Sequence, residues 1–283
     1  MRRDRGNLFV MPVLVLLSLV TAYPVIYVCY LSLHRRLLIF HVSRFTGLEN
    51  YFFLLHDDRF WNALKNTVYF TGVSVSMELF LGLCVAMLLN RQFPFRGIVR
   101  AVVLVPWAVP TVVSAKMWEW IYNTDFGILN YLMGTDVNWL GSTGWAINAA
   151  VFMDVWKTTP FVAILLMAGL QVIPGELYQA ARIDGAGRLD IFRRITLPLL
   201  KPVILVVLIF RTLDAFRVFD AVYVLTGGGP ANTTETLSIY AYKVLFQTLQ
   251  FGYGSALSVT VFLCTGLISV LYVRLLHKRG AAI

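Results

Sequence analysis

Six runs of apolar residues organise the chain, at 8–33, 66–89, 98–122, 145–173, 197–225 and 254–276. Each is longer than the ~20 residues a helix needs to cross ~30 Å of hydrocarbon, so the pattern predicts six transmembrane helices joined by polar connections. The third run contains Pro106 and Pro110 in "VPWAVP". A kink is expected there, because proline removes a helical donor; the pattern does not separate a gating role from a purely structural one. Arg211, Asp214, Arg217 and Asp220 interrupt the fifth run. The first follows a basic "MRRDR" segment. It exceeds the roughly 7–15 residues of a signal-peptide core, so a retained anchor is expected.

One stretch does not fit the spanning pattern, "ELYQAARIDGAGRLDIFRRITLPLLKP" at 176–202. It predicts a short amphipathic helix over 176–184, beginning after Pro174, with Gly185 and Gly187 placed to end it. Leu177, Ala180, Ala181 and Asp184 share a face by their spacing of three and four. The two alanines would let another protein approach closely, and the same spacing equally describes a helix lying on the membrane surface. The connection at 123–144 has no basic residue and carries Trp139 among aromatic neighbours, the composition of an interfacial segment. "TGGGP" at 226–230 reads as a turn.

Composition strengthens the membrane reading. The chain is 58% hydrophobic and 14% charged, against roughly 45–50% and about 25% in soluble domains. The formal charge of +9 points to basic loops facing an anionic leaflet rather than to nucleic acid, because the basic residues lie mainly between the runs. Counted by connection, fourteen basic residues fall on the N-terminal side and seven on the other. The positive-inside rule then puts both termini of this multi-pass chain in the cytoplasm. The first connection, with Arg35, Arg36, Arg44, Arg59 and Lys65, runs against that rule. Cys29, Cys84 and Cys264 sit in apolar runs without metal-ligand spacing. The four histidines lie in loops or flanks, with no nucleophile–base grouping at membrane depth, so no enzyme is expected. No G-x-x-x-x-G-K-[ST] phosphate loop is present, and nucleotide chemistry would belong to another chain.

Charges at membrane depth are costly unless paired or wetted. Asp154 and Lys157 lie three residues apart in the fourth run, and Arg211, Asp214, Arg217 and Asp220 step by three in the fifth. Neighbours of opposite sign can meet on adjacent turns. Glu78, Lys116 and Glu119 stand as isolated charges. Such pairs either hold helices in register or line a wet cavity. The matched signs, Lys157, Arg211 and Arg217 against Asp154, Asp214 and Asp220, favour a neutral polyol over an anion.

The spacing Ala180-Ala181, Gly185, then Ile195-x-Leu197-Pro198 resembles the EAA signature of ABC importer permeases, with Gln179 where that signature has glutamate. "TAYPVIYVCYLSL", "FTGLENY", "FWNALKNT", "VWKTTPF" and "YVLTGGGP" extend the resemblance along nearly the whole chain, to the carbohydrate branch of maltose/trehalose type. The resemblance implies an all-α membrane protein: a type I importer permease core of six transmembrane helices, forming one domain over 1–283. A cytoplasmic coupling-helix loop at 174–198 belongs to it, in which Glu176, Leu177, Gln179, Ala180, Ala181, Asp184 and Gly185 meet the ATPase.

The implied partners are a second permease, a dimer of ATPase subunits carrying ATP and Mg, an extracytoplasmic sugar-binding protein, the sugar and membrane lipid. No cofactor is implied in this chain. Matched by position, the sugar site comprises Asp154, Lys157, Thr158 and Phe161 with Arg211, Asp214, Ala215 and Val218. A disaccharide such as trehalose or maltose is the expected cargo. The alternative class is a secondary transporter or channel for a small polar solute, which would need no signature between the fourth and fifth runs.

Overall fold

The computed structural model describes residues 3–280, with side chains from Val10 to Arg274; Arg2, counted above among the basic residues, lies outside this range. Helices dominate. Among the described residues, five are long and apolar enough to cross a membrane: α1 (Arg3–Ser32), α3 (Asp58–Leu89), α7 (Ala146–Val172), α10 (Leu197–Phe216) with the turns that lead into it, and α13 (Phe251–Gly280). A sixth span is shared by α4 (Arg96–Ala108) and α5 (Thr111–Ile121).

That sixth span is broken rather than kinked. Its halves meet at 92°. Pro110 has no N–H to offer the previous turn, and Val109 leaves the helix with ψ 133°. The fifth run also differs from expectation. Its helix stops at Phe216, and residues 220–226 form a separate helix, α11 (Asp220–Thr226). Asp220 opens α11, where a carboxylate favours the helix N-terminus.

The chain falls into two compact units. The smaller comprises residues 1–61 and 237–264. In it a hairpin that hydropathy does not reveal follows α1, pairing β1 (His34–Leu37) with β2 (Val42–Phe45) antiparallel. The short helices α2 (Glu49–Leu55) and α12 (Leu237–Tyr242) belong here too. Asp57 accepts hydrogen bonds from the Tyr240 and Tyr253 hydroxyls, and the Arg59 guanidinium lies 4.7 Å from the Tyr240 ring centre.

The larger unit, residues 62–236 and 265–283, holds the core. Ala86, Val162, Leu166, Leu170, Leu200 and Val207 pack α3, α7 and α10 together. Glycines set how closely these helices approach. A Cβ on Gly82 would meet Val162 Cγ1 at 2.5 Å, and one on Gly169 would meet Leu200 and Val203 at 2.8 Å. Small residues at helix contacts replace the hydrophobic drive that lipid removes. Between α5 and α7, α6 (Ile128–Met133) and its flanks fold back. Trp139 is buried there against Tyr122 and Ala149, its Nε1 donating to Asn130 Oδ1 at 2.8 Å.

One sequence motif reaches the loop that follows another in this unit. Asn62 and Asn66, from "FWNALKNT", donate to the Asn232 carbonyl at 2.9 and 3.1 Å, and Asn66 also reaches the Glu235 carbonyl. They anchor the glycine-rich turn, in which Gly227 and Gly228 take positive φ.

Candidate functional site

Two places in the larger unit carry the polar residues that the sequence singles out: a cavity among α4, α7, α10 and α11, and a short exposed helix.

Arg211 organises the cavity. Its guanidinium is buried on α10, and its five donors match three carboxylates. Nε and Nη2 grip Glu78 of α3 at 2.6 and 2.9 Å, Nη2 reaches Asp154 of α7 at 3.2 Å, and Nη1 reaches Asp214 at 2.6 Å. Glu78 is fully buried, and the Thr158 hydroxyl lies 2.7 Å from its Oε1. Glu78 is therefore not an isolated charge. It is the counterion that ties α3 to α10, and sequence spacing missed it because its partner is 133 residues away.

Lys157 also departs from expectation. It forms no ion pair with Asp154 among the described residues. Its Nζ donates to the Val109 carbonyl at 2.6 Å and lies 3.4 Å from that of Trp107. The break before Pro110 strips these carbonyls of helical partners, and a cation at a helix C-terminus satisfies both their lone pairs and the dipole. The lysine is thus the cap of a broken span. Of the expected step-by-three pairs in the fifth run, only Arg211–Asp214 forms. Arg217 Nε donates instead to the Leu213 carbonyl at 3.1 Å, at the end of α10.

These groups surround a cavity of about 890 Å³. All eight residues matched for a sugar site, Asp154, Lys157, Thr158, Phe161, Arg211, Asp214, Ala215 and Val218, lie on its wall. Trp107, which the sequence reading did not select, lies on the same wall stacked on Phe161, with ring centres 5.5 Å apart and planes at 21°. Lining it as well are Arg217 and Asp220. With Glu78 behind the wall included, carboxylates outnumber cations by one. The arrangement offers carboxylate oxygens to accept hydroxyl protons, an aromatic wall, and cations already engaged by protein partners.

The second place is α8 (Gly175–Ile183), which runs one residue earlier at each end than the expected 176–184. Glu176, Leu177, Gln179, Ala180, Asp184 and Gly185 are exposed and Ala181 is half-buried. The C-terminus closes by two reverse bonds, Gly185 N–H to the Arg182 carbonyl at 3.1 Å and Ala186 N–H to the Ala181 carbonyl at 2.9 Å. This closure requires a left-handed residue, and Gly185 supplies it at φ +77°. Beyond it come α9 (Arg188–Ile191) and a π-turn, Phe192–Thr196, that leads into α10. The Tyr178 hydroxyl lies 3.3 Å from that of Thr196, tethering α8 to the base of the span.

Comparison with known proteins bears on both places. Residues 78–280 match the family model described as binding-protein-dependent transport system inner membrane component. The trehalose/maltose transport system permease protein of Thermococcus litoralis is 45% identical over 273 residues, covering 95% of this chain and 92% of the relative. The sulfoquinovosyl glycerol transport system permease protein of Agrobacterium fabrum is 38% identical over 277 residues, covering 96% and 90%. Among solved structures, a chain of a bacterial ABC transporter that imports the acidic polysaccharide alginate superposes with TM-score 0.85 at 21% identity, covering 98% of this chain and 96% of that one.

Proposed function

The chain belongs to the family of binding-protein-dependent transport system inner membrane components, and from that premise we propose that it is the pathway-forming subunit of an ATP-driven sugar importer. It is a transport subunit of an ABC system and not an enzyme. We assign its cargo as a neutral disaccharide, trehalose or maltose. The two relatives above are named for different glycosides, so identity alone does not choose between cargoes. The cavity chemistry supports a neutral polyol. An anionic cargo would need several spare cations, whereas Arg211 is saturated by three carboxylates and Lys157 by carbonyls, leaving Arg217, bonded through Nε to the Leu213 carbonyl, as the one lining cation not so engaged. A polyol needs acceptors and an apolar wall, which Asp214, Asp154 and the Trp107–Phe161 stack provide. The observation that carries this reading is the Arg211-centred cavity.

In the proposed mechanism the whole chain, 1–283, acts as one transmembrane permease domain paired with a second permease, with both termini in the cytoplasm. A dimer of ATPase subunits, holding ATP and Mg, docks on α8. Closure of that dimer drags α8 and, through Tyr178 and the π-turn, the base of α10, so the cavity changes the side to which it opens. Only a difference in the affinity of ATP or the loaded binding protein for the two states can drive the change. The turn at 227–232, held by Asn62 and Asn66, is the proposed dock for the extracytoplasmic binding protein.

The test is reconstitution of the four-chain transporter with its binding protein in proteoliposomes. Trehalose or maltose should stimulate ATP hydrolysis and accumulate inside. Asp154→Asn and Asp214→Asn should each cut uptake while the complex stays assembled. Undiminished uptake in both variants would remove the cavity from the sugar path.

A further inference from the structure

The hairpin His34–Phe45 has no part in the cavity or in coupling, and its chemistry is unusual. Antiparallel register sets Arg35 directly opposite Arg44. Like charges across a strand pair repel, and both side chains are exposed. Among the described residues neither forms an ion pair. The next pair on the same face is Leu37 opposite Val42. Together these four line a cavity of about 610 Å³ whose sole carboxylate among its lining residues, Glu49, reaches neither arginine. The tip is apolar and exposed, with Leu38 at 45%, Ile39 at 61% and Phe40 at 71%.

The hairpin's depth is fixed by its neighbours. One end is pinned to the end of the first span: Asn50 Nδ2 donates to the Ser32 and His34 carbonyls at 2.7 and 3.0 Å, and the Tyr51 hydroxyl donates to Ser32 Oγ at 2.8 Å. Its other end is pinned to the start of the last span. Leu38 N–H donates to the Leu249 carbonyl at 3.2 Å, and Leu37 pairs with Gln250, the residue before α13. Gly252 permits that approach, since a Cβ there would lie 2.0 Å from the His34 carbonyl oxygen. The hairpin therefore lies along the membrane boundary.

We propose that it is a phospholipid anchor in which Arg35 and Arg44 clasp one headgroup phosphate and the tip, Leu38 to Phe40, enters the acyl boundary. A phosphate between the two arginines turns their repulsion into a two-sided charge-assisted grip. Leu37 and Val42 then line the path of the acyl chain. Arg35 and Arg44, two of the five basic residues of the first connection that oppose the positive-inside pattern, are placed by this local lipid contact rather than by topology.

The test uses the full chain in lipid nanodiscs of phosphatidylcholine with or without phosphatidylglycerol, with Cys29, Cys84 and Cys264 changed to alanine and a nitroxide attached through Phe40→Cys. Collision with oxygen should exceed collision with a water-soluble nickel chelate. Native mass spectrometry should find phosphatidylglycerol retained, retention lost in R35Q/R44Q and kept in R35K/R44K. A label open to the nickel chelate overturns the anchor, and so does a label shielded from both reagents, which would mean a protein cover. Equal lipid retention in R35Q/R44Q overturns the phosphate clasp.

Discussion

Arg211 and Glu78, 133 residues apart in the chain, meet in a two-pronged ion pair, Nε to Oε2 at 2.6 Å and Nη2 to Oε1 at 2.9 Å. The pair is worth little as a source of stability relative to apolar residues, because burying both charges is costly. Breaking it is another matter. Glu78→Met leaves the buried arginine with Asp154 and Asp214 but its Nε without an acceptor, and should destabilise the purified chain by about 1–3 kcal/mol. The double variant E78M/R211M should be less damaged than the sum of its parts, because Glu78 is then not left without its cation, although Asp154 loses its own in both variants that lack Arg211. Thermal unfolding of the four proteins of this cycle measures the coupling; strict additivity would mean the two groups do not depend on each other.

Lys157 and Pro110 make a second dependent pair, through the Val109 carbonyl. Lys157→Met should cost about 1–3 kcal/mol, the penalty for a buried acceptor left without a donor. Pro110→Ala restores an N–H and lets the helix run on across the break. P110A should therefore recover part of the stability lost in K157M, although it should impair uptake by straightening the 92° bend. An unfolding midpoint for P110A/K157M no higher than that of K157M would show that the lysine does not serve the break.

Hydropathy was enough for the spans because a bilayer tests each helix separately: length and apolarity decide, and neither needs a tertiary partner. The end of α8 was legible for a similar reason, since Gly185 declares a left-handed turn locally. What the sequence could not disclose were choices among partners. Asp154 and Lys157 have the spacing of a helical pair, yet Lys157 turned to backbone carbonyls freed by a break 48 residues earlier. Asp220 looked like the end of a charged face and instead starts a new helix. The hairpin was hidden for want of alternation, since "HRRLLIFHVSRF" carries its apolar residues mainly at the turn rather than on one face. The residues proposed for the sugar were found by resemblance to a family motif, not by spacing. Trp107 escaped because nothing in "VPWAVP" announces a ring stacked on Phe161.

Gly185 carries the third prediction. Its φ of +77° costs an L-residue roughly 1–2 kcal/mol, more for a β-branched side chain. No atom crowds its Cβ position, so the damage in Gly185→Val would be conformational rather than steric. The variant should insert and assemble but lose the fixed end of α8. ATP hydrolysis should continue without sugar accumulation. Uptake and hydrolysis that fall in equal proportion would point to lost assembly instead of lost coupling.

The contact at Gly169 supplies the last test, because it separates packing from chemistry. A Cβ there would lie 2.8 Å from Leu200 Cδ1 and Val203 Cγ2 and 3.1 Å from Val203 Cβ, where α7 crosses α10. Gly169→Ala must push the helices apart or force both side chains off their rotamers, and should cost about 1–3 kcal/mol. Val203→Ala vacates one of the three crowded positions, Cγ2, and leaves of that side chain only its Cβ at 3.1 Å. The pair G169A/V203A should therefore be more stable than G169A alone, even though V203A by itself removes partly buried methyls. The same separation of α7 from α10 would lengthen the 3.2 Å contact between Arg211 on α10 and Asp154 on α7, so uptake should fall in G169A and recover with V203A. Recovery of stability without recovery of uptake would mean that the cavity's geometry does not depend on how closely these two helices pack.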